Sequence, residues 1–117
     1  MNESYIDFIK WMCEKAKGFE WHFDTTEKWI VCPNNYQWFI DFKPDIVYAS
    51  LLLQRAIEGI NNEHYGGYKI IQTDFNIMVQ NCVNDECYLI INCFEFKFIE
   101  QAKESVLRYV YEHEKAE

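Results

Sequence analysis

Proline and glycine are scarce in this chain, at two and four residues of 117. No linker, internal repeat or low-complexity stretch can be built from so few breakers, and one folded unit spanning residues 1–117 is expected. Basic residues are few as well. Eleven Lys and Arg stand against nineteen Asp and Glu, for a net charge of −8, which disfavours direct nucleic-acid binding because affinity for phosphate backbones rests on clustered cations. Apolar runs are short, Leu51–Leu53 and Tyr88–Ile91 being typical. None approaches the ~20 residues of a membrane helix, so no membrane partner is expected. The start, Met1-Asn2-Glu3-Ser4, lacks a basic region ahead of an apolar core, and no signal peptide is expected. Phosphate-loop, dinucleotide, nucleophile-elbow and H-E-x-x-H motifs are all missing. No cofactor is expected, and nothing nominates a reaction.

What is present is hydrophobic. Half of the residues are apolar, including four Trp, eight Tyr and nine Phe. A chain of this length buries about two-thirds of its extended surface on folding. Disorder, marked by low hydrophobicity and few aromatics, is therefore not expected. Five cysteines (Cys13, Cys32, Cys82, Cys87, Cys93) form an odd, scattered set. Free thiols in a reducing cytoplasm are the expectation.

Periodicity supplies the elements. Ser4 with Asp7 resembles a capping box, and Tyr5, Phe8, Ile9, Met12, Cys13 and Ala16 follow at helical spacing until Gly18. Trp11 falls off that stripe. Phe19, Trp21 and Phe23 then alternate with Glu20, His22 and Asp24 as in a strand. Asp24–Glu27 reads as a turn, Trp29–Cys32 as a second strand, Pro33–Asn35 as a turn, and Tyr36–Phe42 as a third strand. A second helix is expected over residues 45–60, ended by Gly59 and the polar Asn61-Asn62-Glu63, with Leu53 widening its apolar side. Tyr68–Gln80 fits either period and is taken as a strand. Val83–Glu86 is a turn leading into a strand over Tyr88–Phe98, and a last helix covers residues 98–114 with Ala102, Val106, Tyr109 and Val110 inward. Tyr111 falls outside that stripe. The expected order is α-βββ-α-ββ-α, an α+β fold with helices packed on a largely antiparallel sheet.

Three polar sets invite a functional reading. Glu20, His22 and Asp24 share one strand face at ~7 Å steps, a pattern that suits a metal or an acid/base group. A linear run on one strand converges poorly on a single ion, and a solvated face is the simpler reading. Cys82 and Cys87 bracket a turn and could pair across it. Cys93 lies ~20 Å further along the strand at ~3.3 Å per residue, too far to share an ion with them. The third set is Tyr36-Gln37-Trp38-Phe39-Ile40-Asp41-Phe42, bulky on both faces with only Gln37 and Asp41 polar. Such a strand is covered on both sides, by helices or by a partner. Tyr36, Trp38, Asp41, Asp85 and Glu86 are the expected interaction residues, aromatics anchoring and carboxylates steering.

Two stretches carry a resemblance. Leu51-Leu52-Leu53-Gln54-Arg55-Ala56-Ile57-Glu58-Gly59-Ile60-Asn61, and residues 100–112 from Glu100-Gln101-Ala102-Lys103 to Tyr109-Val110-Tyr111-Glu112, resemble segments of small uncharacterised acidic proteins of phages and prophages of low-GC bacteria. Together they cover about a quarter of the chain. Neither holds a catalytic motif, so no site residue carries over. The resemblance implies a mobile-element accessory protein, and proteins of that kind often bind and block host machinery. The expectation is thus a non-enzymatic module that binds a host protein. A small metal-dependent enzyme using Glu20, His22 and Asp24 and a structural homodimer through the two-sided strand are the alternatives.

Overall fold

The computed structural model describes residues 3–23, 28–31, 37–39 and 46–116. Among these residues it is α+β, with three helices and two three-stranded antiparallel sheets where one sheet was expected. Helix α1 spans Glu3–Ala16, so Ser4 lies inside it and not ahead of it. The helix stops where Lys17 (φ 49°) and Gly18 (φ 94°) enter the left-handed region. Phe19, buried, carries the chain into β1 (Glu20–Phe23), which pairs with β2 (Lys28–Val31). That strand in turn pairs with β3 (Gln37–Phe39), giving the expected meander.

Helix α2 runs Ile46–Glu63 and continues through Gly59. The reason is packing. A Cβ at Gly59 would overlap the carbonyl oxygen of Lys15, so the glycine lets α2 cross the end of α1 at backbone contact and does not stop the helix. Asn61 and Asn62 belong to the last turn. His64 (φ 51°) and Gly66 (φ 63°) then reverse the chain through a short 3-10 turn, Tyr65–Gly67.

The largest departure from expectation follows. The segment taken as one strand is split into β4 (Tyr68–Gln72) and β5 (Asn76–Asn81), so this sheet has three strands instead of two. Thr73 makes the break. Its hydroxyl accepts the N–H groups of Phe75 (3.3 Å) and Asn76 (2.9 Å), while its own N–H donates to the Asn76 carbonyl (2.8 Å). Strand β6 (Cys87–Asn92) completes the sheet, ending well short of Phe98 because Asn92 caps a 3-10 turn at Cys93–Glu95. Helix α3 covers Ile99–Ala116.

The core lies between the helices and the inner face of β4-β5-β6. Ile70, Ile77 and Val79 meet Ala56, Ile57 and Ile60 of α2 and Ala102, Val106, Leu107 and Val110 of α3, with Phe8 and Met12 from α1. Leu53 is buried, so α2 is covered on a broad arc as expected. Trp11 was expected off the apolar stripe, yet only 8% of it is exposed. It packs on Tyr111 (ring centroids 5.3 Å apart) and edge-on to Tyr65 (5.9 Å), and Phe8 also meets Tyr111 (5.5 Å). The two surplus aromatics pack against each other. Lys15 lies 3.5 Å above the Tyr65 ring and closes the cluster.

Candidate functional site

Strand alternation divides the second sheet into an inner and an outer face. Register places Ile71 opposite Met78, and Met78 opposite Ile90, so an apolar row crosses the outer face from β4 to β6. Ile90 is 59% exposed. At one end of the sheet Phe75 (59% exposed) and Phe94 (74%) pack with rings tilted by 38° and centroids 5.7 Å apart. Two bonds hold that pair in place: Cys93 N–H to Phe75 carbonyl (2.8 Å) and Phe94 N–H to Asn92 Oδ1 (2.9 Å). Exposed aromatics held this firmly are positioned by the backbone and not by burial. Acidic groups flank them, with Asp74 and Glu95 exposed beside the two rings.

The other end of the sheet carries the β5–β6 turn. Asn81 Oδ1 accepts from the N–H groups of Val83 (2.8 Å) and Asn84 (3.2 Å), and Asn84 Oδ1 accepts from Glu86 N–H (2.9 Å). Asp85 sits at φ 61° and pairs with Lys69. Glu86 is exposed and makes no ion pair among the described residues.

The two edges of this sheet are treated differently. In an antiparallel ladder alternate residues direct their backbone groups to the neighbouring strand or away from it. The bonds from Thr73 N–H to Asn76 and from Cys82 N–H to Gly67 set the phase of β4, and Ile70 then faces away from β5. There Asn61 of α2 receives it, donating from Nδ2 to the Ile70 carbonyl (3.0 Å) and accepting the Ile70 N–H on Oδ1 (2.7 Å). The side-chain amide takes the place of a further strand. On β6 the Cys93–Phe75 bond sets the phase, so Ile90 and Asn92 point their backbone groups away from β5. No described group bonds to them. Strand β6 is also free of proline and of charge, the devices that commonly blunt an edge.

Of the residues expected from sequence, Asp85 and Glu86 lie at the β6 end of this surface. Trp38 lies on β3 opposite Ile30, in the other sheet. Tyr36, Asp41 and Asp24 fall outside the described residues. Glu20 and His22 alternate on β1, opposite Val31 and Trp29, and Glu20 is exposed. Among the described residues no three His, Cys, Asp or Glu side chains gather as metal ligands. Cys13 is buried as expected, and Cys82, Cys87 and Cys93 are free thiols, so the cross-turn pairing of Cys82 with Cys87 is not formed. His113 stacks on Tyr109 (3.8 Å) with Nδ1 2.9 Å from the Tyr109 carbonyl oxygen. A groove of about 290 Å³ runs beside α3, lined by Glu95, Lys97, Glu104 and Arg108. Arg108 is held there by Glu104 (3.9 Å) and Glu112 (4.0 Å).

Sequence reasoning did not single out Phe75, Ile90 and Phe94: Phe75 and Phe94 were assigned to strands and lie in turns, while Ile90 lies in a strand as expected but on its outer face. The usable signal was the uncharged run Cys87–Asn92. Among the described residues no helix is long and apolar enough to cross a membrane. No family model, curated protein or solved structure matches this chain.

Proposed function

We propose that this chain is a non-enzymatic protein-binding module that engages its partner through the outer face and β6 side of the second sheet. The observation that carries the reading is the apolar row Ile71–Met78–Ile90 ending at the exposed Phe75–Phe94 pair, with carboxylates at both ends. Aromatics with few rotamers make low-entropy anchors, and acidic flanks accelerate encounter with a basic surface. This relocates the anchors from Tyr36 and Trp38 to Phe75, Ile90 and Phe94 while keeping Asp85 and Glu86 as steering groups. The partner is a host protein, in the context of a phage or mobile element, and inhibition of a defence or nucleic-acid-handling protein is the role that context favours. The free thiols support a cytoplasmic setting.

Affinity capture from a low-GC bacterial host with the tagged full chain tests the reading. A specific protein is recovered by the native chain and lost with the double variant Ile90→Lys, Phe94→Ser. Recovery of the same proteins at the same yield by both chains refutes it. Replacing Tyr36, Trp38 and Asp41 in a second variant separates the contribution of residues 36–41 from that of the second sheet.

A further inference from the structure

We propose that the open edge of β6 receives an extended segment of the partner as a fourth, antiparallel strand, and that this segment has a neutral middle flanked by basic residues. The inference deepens the protein-binding reading and rests on it. Three observations converge. First, the outward N–H and C=O groups of Ile90 and Asn92 have no partner among the described residues, at a spacing that matches the alternate residues of an added strand. Second, the opposite edge of the same sheet is closed by the Asn61 amide on Ile70. Among the described residues, that side chain blocks the middle of the β4 edge, and nothing blocks the β6 edge in the same way. Third, β6 itself is uncharged while its two ends are not, with Glu86 immediately before it and Glu95 three residues beyond it. Neither carboxylate has an ion pair among the described residues. They are separated by roughly 20–30 Å at ~3.3 Å per residue, about the length of a six- to nine-residue strand.

Charge decides between a foreign strand and a second copy. Antiparallel self-pairing with full overlap centres on Ile90. It sets Asp85 and Glu86 of each copy beside Phe94 and Glu95 of the other, at both ends. Like charges facing each other across strands destabilise the pair, and each copy brings a net charge of −8. A segment with Lys or Arg at its ends reverses the sign of both contacts. Its middle residues extend the apolar row from Ile90.

The test uses the full chain and a fluorescent synthetic peptide with a Thr-Val-Thr-Val-Thr middle and paired lysines at each end. Binding is read by anisotropy at low salt, and amide exchange by NMR. The lysine-flanked peptide binds saturably, at least tenfold tighter than the same peptide with glutamate flanks, and the margin narrows as salt is added. On binding, the amides of Ile90 and Asn92 gain protection, whereas those of Leu89 and Ile91, already bonded within the sheet, do not change. Two N-methylated peptides complete the set, one methylated on each Val and one on each Thr. A strand held by one edge uses a single set of its amides, so one methylated peptide binds and the other fails. No saturable binding, equal behaviour of the two methylated peptides, or binding without protection at Ile90 and Asn92 overturns strand addition. Capture that depends on Ile90 and Phe94, together with a peptide result of that kind, leaves the module reading standing and removes the edge.

Discussion

Replacing Asn61 with alanine removes both hydrogen bonds that close the β4 edge, and the loss can be worked from the structure. Ile70 is 4% exposed, and its N–H and C=O are bonded to the Asn61 side chain at 2.7 and 3.0 Å. Leaving a buried donor and acceptor without partners costs about 1–3 kcal/mol each, and water reaching the trimmed site lowers the combined figure to about 2–4 kcal/mol. Alanine is the better helix former at this position in α2 by roughly 0.6 kcal/mol. The net loss is therefore about 1.5–3.5 kcal/mol. In urea, with a slope of about 1–3 kcal/mol/M, the midpoint falls by roughly 0.5–3.5 M at an unchanged slope. Asn61→Asp retains the acceptor for Ile70 N–H but sets a carboxylate oxygen against the Ile70 carbonyl, and is destabilising by a similar amount. Hydrogen exchange supplies the local readout, since the Ile70 amide loses protection in Asn61→Ala while the Ile71 amide, bonded within the sheet, keeps it. Opening a second edge also raises the tendency to self-associate. A loss below about 0.5 kcal/mol with Ile70 exchange unchanged would show that these bonds do not hold the edge, and the contrast between the two edges would fall with them.

Other substitutions read the packing and the surface separately. Gly59→Ala forces α2 away from the Lys15 carbonyl and destabilises by about 3 kcal/mol or more, measured by thermal denaturation, because backbone lies on the other side of the contact; a neutral effect would mean that the helices do not cross there. Ile77→Ala, at a fully buried site between β5 and the helices, costs about 2–5 kcal/mol in the same assay. Phe94→Ser changes stability by less than about 1 kcal/mol because its ring is mostly solvated, yet it abolishes partner capture; a large stability loss would reassign the ring to the core. Elemental analysis of purified protein returns no stoichiometric transition metal, whereas bound metal lost in His22→Ala would revive the Glu20, His22 and Asp24 reading.

Elements held by their own periodicity were legible from residues alone. The stripe from Phe8 to Ala16 specifies α1, the stripe through Ala102, Val106 and Val110 specifies α3, and the alternation after Phe19 specifies the first strand of the meander. Each signal is local, since burial on one side of an element writes its period into that element. The acidic turn at Asp85 and Glu86 was legible for the same reason. Gly59, Trp11 and the β4–β5 break were misread because their roles depend on neighbours distant in sequence or on a hydroxyl closing a short turn. Gly59 answers to Lys15, Trp11 answers to Tyr65 and Tyr111, and Thr73 answers to Asn76.

The scarcity of cations and the abundance of aromatics determined an acidic chain with a large core, and the periods of its apolar residues determined a mix of helix and strand. Which of its many apolar residues remain outside that core was a tertiary decision. Phe75, Ile90 and Phe94 have the same side-chain chemistry as buried residues and differ only in where the turns at Thr73 and Asn92, and for Ile90 the register of β6, place them. The open edge of β6 was decided in the same way. A strand carries no mark of whether its outward amides are covered, and here Asn61 bonds to the outward groups of β4 while no described residue bonds to those of β6.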